Sequence, residues 1–239
     1  MARIRDLLRT RSGPAFVGFD FPFGYPAGSG LGGGRKAAAI IASDLVSDEL
    51  DANNRFDVAG RLNEQISPHH PGPFWGCPPS SQSDQLTSKK PPFLQENFKE
   101  WRIVEKHLRD NKKQTTISAV WKLYTIGSVG SQTLTGLKCL HDLGGDPEFA
   151  MATRYWPFET RWDADLDGII LTEIWPSLNA HDTYDHAIKD ARQVLACRDW
   201  FIDHQRAGTA KALFAAPDWL SRQEQEKCRT EEGWILGVR

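Results

Sequence analysis

Pro14-Ala15-Phe16-Val17-Gly18-Phe19-Asp20-Phe21-Pro22-Phe23-Gly24-Tyr25-Pro26 holds one acid, Asp20, among residues that are otherwise apolar or turn-forming. A short apolar run closed by Gly and Pro predicts a strand covered on both faces, here starting at Phe16 and ending at Pro22. An aspartate at the end of such a strand needs a counter-charge, a hydrogen-bond donor or a metal, because a lone buried carboxylate is too costly. Gly168-Ile169-Ile170-Leu171-Thr172-Glu173-Ile174-Trp175-Pro176-Ser177 repeats the pattern: a largely apolar run, a single acid near its end, then Pro. As neighbours in one parallel sheet, the two strands would bring Asp20 and Glu173 out at the same C-terminal edge, where open α/β sheets place their sites.

A third acid comes from a helix predicted over 183–205. At about 100° per residue, Asp190 shares a face with Ala187, Val194, Cys197 and Phe201, whereas Asp185 falls on the solvated side. Asp190 is therefore expected to point inward, toward the other two acids or into a salt bridge with an arginine such as Arg35 or Arg154. Convergent carboxylates repel unless a cation or a proton holds them together. Asp20, Glu173 and Asp190 are thus the candidate catalytic and metal-ligating set, and Mg²⁺ or Mn²⁺ is the cation that prefers all-oxygen ligands. Two such ions roughly 4 Å apart can activate a water and stabilise the leaving oxygen in phosphodiester cleavage. No GxSxG or HExxH motif is present, and no histidine clusters with a serine or cysteine to supply a competing nucleophile.

Two glycine-containing helix starts are candidates for holding phosphate. Gly32-Gly33-Gly34-Arg35-Lys36 opens a predicted helix to about Leu50, and Gly127-Ser128-Val129-Gly130-Ser131-Gln132 opens another to about Leu143. Solvated loop charges in the first stretch, and tight strand-to-helix packing in the second, would use the same residues. Neither has GxxxxGK[ST] or GxGxxG spacing. The candidate phosphate contacts are Arg35, Lys36, Lys122, Ser128, Ser131 and Gln132.

With 239 residues and 40% hydrophobic content, the chain can bury a full core. A net charge of −2 advertises no basic field for tight nonspecific nucleic-acid binding. Nine tryptophans are expected mainly in the core. Cys77, Cys139, Cys197 and Cys228 form no CxxC pair and read as reduced thiols of a cytoplasmic protein. The charged N-terminus is no secretion signal, and no apolar run approaches the roughly 18 residues of a membrane span.

Further elements follow from pattern. Residues 2–10 and Asn53–Ile66 read as short helices. A Pro- and Gly-rich insertion at about 67–92 is too long for an ordinary connector and reads as a functional lid or a poorly ordered insertion. The amphipathic helix expected at 94–109 turns Leu94, Phe98, Trp101, Val104 and Leu108 inward, with Arg102 and Glu105 mostly outward. Thr115–Tyr124 and Thr153–Phe158 have strand-like content. Asp163-Ala164-Asp165-Leu166-Asp167-Gly168 opens like a calcium loop, but its twelfth position is Ile174 rather than Glu, so an acidic turn is expected. The C-terminal run Glu231-Glu232-Gly233-Trp234-Ile235-Leu236-Gly237 is expected to dock back onto the body.

Val17-Gly18-Phe19-Asp20-Phe21-Pro22-Phe23-Gly24-Tyr25-Pro26 resembles the "(I/V)G(I/F)D-x-P-x-G" segment of a bacterial family of predicted nucleases with RNase H-like fold. Phe74-Trp75-Gly76-Cys77-Pro78, Trp121-Lys122-Leu123-Tyr124, Trp156-Pro157-Phe158-Glu159 and Glu173-Ile174-Trp175-Pro176-Ser177 resemble later blocks of one branch, labelled with cobalamin or molybdopterin biosynthesis. The resemblance implies a single α/β domain over 1–239, with an RNase H-like mixed sheet flanked by helices and Asp20, Glu173 and Asp190 as its acidic site. It implies a metal-dependent nuclease or phosphodiesterase acting on nucleic acid or a phosphate-containing small molecule. The alternative is a non-catalytic nucleotide- or anion-binding module with an incomplete acidic site. RNase H-like folds begin with a hairpin region whose first strand carries a catalytic Asp, and that region is expected to be missing here. Only about fifteen residues precede the Asp20 strand, and their one acid is Asp6. An exposed sheet edge, and a homodimer formed through it, would follow.

Overall fold

A computed structural model of the chain describes residues 2–111 and 117–239. In chain order these form α1 (Ala2–Arg9), β1 (Ala15–Phe19), α2 (Gly34–Ala42), α3 (Arg55–Ile66), α4 (Ile103–Asp110), α5 (Gly130–Gly144), β2 (Thr153–Tyr155), β3 (Ile169–Glu173), α6 (Lys189–Arg206) and α7 (Arg222–Lys227). The fold is mixed α/β around a small parallel sheet of order β1-β3-β2.

The two acid-ended apolar runs pair directly. β1 lies parallel to β3 with Phe19 opposite Glu173, so Asp20 leaves the sheet beside Glu173. Every residue of β3 is buried, which explains its unbroken apolar sequence: a central parallel strand is covered on both faces. On one face Val17, Phe19, Ile169 and Leu171 pack with Ala37, Ile41, Leu134 and Leu137 of α2 and α5. On the other, Ile170 joins Trp156, Phe214, Trp234 and Leu236, and the Phe16 ring lies 5.1 Å from Phe201 of α6. The C-terminal run docks as its composition suggests. Ile235 bridges Glu173, and the Leu236 N–H donates to the Glu173 carbonyl at 2.9 Å, on the side of β3 that β2 leaves open.

Several elements differ from the sequence pattern for identifiable reasons. The helix expected at 94–109 begins only at Ile103, because Arg102 has extended backbone (φ −63°, ψ 156°) that turns its side chain into the core. α6 begins at Lys189 rather than near Thr183, which leaves Asp190 in its first turn. The strand-like segment from Thr115 lies partly outside the described residues, and Ile117–Tyr124 makes only one bridge, Lys122 to Trp75. The Pro- and Gly-rich insertion is tied to the core. The buried Asn63 amide donates to the carbonyls of Phe74 (2.8 Å) and Gln85 (2.7 Å) and accepts from the Phe74 N–H. Phe74 packs between Tyr25 and Trp121. In the acidic turn, Asp165 pairs with Lys211 at 2.5 Å. The four cysteines are free thiols. No helix among the described residues is long and apolar enough to cross a membrane.

β1 is an edge strand. Phe16 and Gly18 turn their backbone groups away from β3, and no hydrogen bond among the described residues meets them there. The strand carries no charge to discourage pairing, so a second copy is expected to add to this edge. Light scattering after size exclusion should show a concentration-dependent dimer. A monomer at every accessible concentration would contradict this.

Candidate active site

Asp20 and Glu173 open into one cavity of about 180 Å³ at the C-terminal edge of β1 and β3. Ser128 and Gln132, from the start of α5, line it together with Arg102, and Phe21 and Trp175 give it apolar walls. None of the residues 67–92 reaches it.

Glu173 is the buried end of the site. Its two carboxylate oxygens accept a fork from Arg102, at 2.7 Å from Nη2 and 2.8 Å from Nη1, and Oε2 also accepts the Phe23 N–H at 3.2 Å. Arg102 is as buried as its partner. Its Nε donates to Glu105 at 2.9 Å, and Nη1 also donates to the Glu232 carbonyl at 2.8 Å. Glu105 in turn accepts the Arg102 backbone N–H at 3.0 Å, the reach-back of a helix-start acid. The Glu232 carboxylate accepts from the N–H groups of Ile103 (2.6 Å) and Ala27 (2.9 Å). One guanidinium thus ties together α4, the end of β3 and the C-terminal run, and the Glu173 and Glu232 carboxylates hold the loop after β1 to them.

This cluster has more acid than base. Burial would lower the Arg102 pKa, but the neighbouring Glu173 and Glu105 carboxylates outweigh it and hold the guanidinium firmly charged. Burial pushes the Glu105 carboxyl up to about 7, against the opposing pull of Arg102. Burial likewise raises Glu232, against its two backbone donors.

Asp20 differs from all of these. It stands at the open mouth of the cavity, and its carboxylate makes no hydrogen bond or ion pair among the described residues. Crowding by the protein, and then the negative charges of Glu173 and Asp190, raise its pKa to about 6. Its open face to solvent keeps this shift below that of a sealed carboxylate. Asp190 is close enough for its charge to act on Asp20 but is itself exposed. Within α6 it shares a face with Val194, Cys197 and Phe201 as its spacing implies, but that face is open to solvent at Asp190 and Val194. The alternative salt bridge is not made either, since Arg35 pairs with Glu159 and Arg154 donates to backbone carbonyls.

The basic phosphate candidates lie elsewhere. Arg35 donates to Glu159 at 2.5 Å and to the carbonyls of Gly144 and Thr153, tying α2 to α5 and β2. Lys36 is exposed away from the cavity lining, and Lys122 donates to the Ile126 carbonyl at 2.8 Å. Ser131 is occupied by the Leu123 carbonyl and Arg55. The glycines of the first stretch serve packing: a Cβ on Gly33 would lie 2.4 Å from the Glu231 carbonyl and closer still to the Phe158 ring. Only Ser128 and Gln132 of the six candidates face the site.

Arg102 and Glu105 were missed as site residues by the helical-face arithmetic, and Glu232 was read only as part of the docking C-terminal run. The sequence carries little signal for them: Glu105 stands three residues after the cap position as a helix-start acid would, but Arg102 is not a usual cap residue. Neither a family model, nor a curated protein, nor a solved structure matches this chain.

The buried excess of acid makes stability depend on pH. Unfolded, Glu105 titrates near 4.5, and folded near 7, so between these values the folded state binds more protons. Its contribution is full below about 4.5 and is lost as pH rises through about 7. Glu105→Gln should flatten that fall in thermal unfolding followed across this range. An unchanged slope would contradict the assignment.

Proposed function

We propose that this chain is a divalent-metal-dependent phosphodiester hydrolase of RNase H-like architecture, with Asp20 as its principal metal ligand. The observation that carries the reading is the unpaired Asp20 carboxylate, raised to about 6 beside the charges of Glu173 and Asp190 at the C-terminal edge of two parallel strands. A carboxylate held in such a field gains most from a cation.

The residues fit one ion. Mg²⁺ takes one or two carboxylates and keeps several waters, which suits Asp20 at the cavity mouth, with exposed Asp190 near enough for its charge to act on it. Glu173 has both oxygens on Arg102, and among the described residues no three His, Cys, Asp or Glu side chains are grouped to hold a metal. Bound there, Mg²⁺ or Mn²⁺ would neutralise phosphate charge and activate a water. The chain's own groups then orient the substrate. Ser128 offers a hydroxyl from just before α5 and Gln132 an amide from its first turn, at the helix end that favours an anion. Trp175 and Phe21 offer flat apolar surface to a base or another planar group. The substrate class is a nucleic acid or a phosphate-containing small molecule.

A second reading is a non-catalytic nucleotide- or anion-binding module, favoured by the engagement of Glu173 with Arg102. Short DNA and RNA incubated with Mg²⁺ or Mn²⁺ separate the two. Cleavage should require the metal and fall by roughly a hundredfold or more in Asp20→Asn. It should also rise as pH passes upward through about 6, where protons cease to compete for Asp20. Stabilisation by nucleotide without metal, and no cleavage, would favour the second reading. Full activity in Asp20→Asn would remove the first.

A further inference from the structure

The β1 edge offers more than an open ladder. Ala15 and Phe19 bond toward β3, the Ala15 N–H donating to the Gly168 carbonyl and the Phe19 carbonyl accepting from the Ile174 N–H. Alternation therefore points the N–H and C=O groups of Phe16 and Gly18 away from the sheet. Both residues also share the face that α6 covers. There the Phe16 ring is 38% exposed and rests 5.1 Å from Phe201, whereas Gly18 has no side chain to cover its own position. Gly18 instead borders a cavity of about 230 Å³ between β1 and α6, walled by Ile174, Val194, Cys197 and Phe201. A dry cavity of roughly 150 Å³ is enough to hold a benzene ring.

We propose that a second copy of the chain fills this edge and cavity, its β1 running antiparallel about a twofold axis at Val17, so that the Phe16 ring of each copy covers Gly18 of the other. Antiparallel strands alternate pairs that exchange two hydrogen bonds with pairs that exchange none, and only Phe16 and Gly18 have groups free for the first kind. Three axes satisfy this. One at Phe16 would set Gly18 against Pro14, which has no N–H to give. One at Gly18 would set Phe16 against Asp20, a charged residue past the end of the strand. The axis at Val17 makes four backbone hydrogen bonds and puts a ring opposite a missing side chain, the cross-strand pair that shields an edge glycine. No charge lies within β1 to oppose it. Each copy gives a ring and receives one, so the contact is self-complementary and closes at two chains, which a foreign strand would not require.

Val17→Cys tests the register. On the axis the two Cα atoms would lie about 4.5 Å apart, within the roughly 4.4–6.8 Å that a disulfide spans. Mild oxidation should link Val17→Cys chains in pairs, far beyond the wild type, whose Cys77, Cys197 and Cys228 are buried, and beyond Phe16→Cys. Phe16→Ala should weaken the dimer by roughly tenfold or more. Because Phe16 also packs on Phe201 and Phe214, hydrogen exchange on the wild type supplies a reading free of any folding defect. The Phe16 and Gly18 amides should be protected at high concentration and open on dilution. Linking through Phe16→Cys in place of Val17→Cys, or a dimer that leaves these amides unprotected, would overturn the proposal. So would a strict monomer, including one that carries a small apolar molecule in native mass spectrometry.

Discussion

The buried pair between Arg102 and Glu173 is the constraint on which the rest of the molecule depends. Removing each ion from water costs several kcal/mol, so such a pair persists only when its geometry is good and its remaining donors are satisfied. Here the fork on Glu173, the Glu105 contact and the Glu232 carbonyl meet that condition. The pair also explains local departures from regular structure. Arg102 is extended to aim inward, α4 starts after it, and the C-terminal run is held against the end of β3.

This arrangement divides the carboxylates at the sheet edge by task. Glu173 is committed to structure, whereas Asp20 is left unpaired in a negative field one residue past the end of the neighbouring strand. An unpaired carboxylate with a raised pKa disfavours the folded state as pH rises through about 6, and it is poised for a cation or a proton.

Much of the frame was legible in the sequence because period and punctuation set it. β1 and β3 read as apolar runs ending in an acid and a proline, and their parallel pairing with Asp20 beside Glu173 follows from that likeness. The start of α5, with Ser128 and Gln132 at the cavity, was readable from its small residues. What could not be read was tertiary. Arg102 and Glu105 looked like the solvated face of a long helix, and only the late start of α4 turns them inward. Arg35 looked like a phosphate contact because nothing in its neighbourhood reveals Glu159, more than a hundred residues away in sequence. Asp190 keeps the helix face its spacing assigns, but at the first turn of α6 that face is open to solvent, as the exposed Val194 one turn further on also shows.

The direct measurement is a double-mutant cycle on Arg102→Met and Glu173→Met in urea unfolding. Each single change should cost about 3–5 kcal/mol by stranding a buried charge. The double variant should cost less than the sum of the two single changes, by a coupling of about 2–3 kcal/mol. A coupling below about 0.5 kcal/mol would mean that the two residues act independently and would contradict the account.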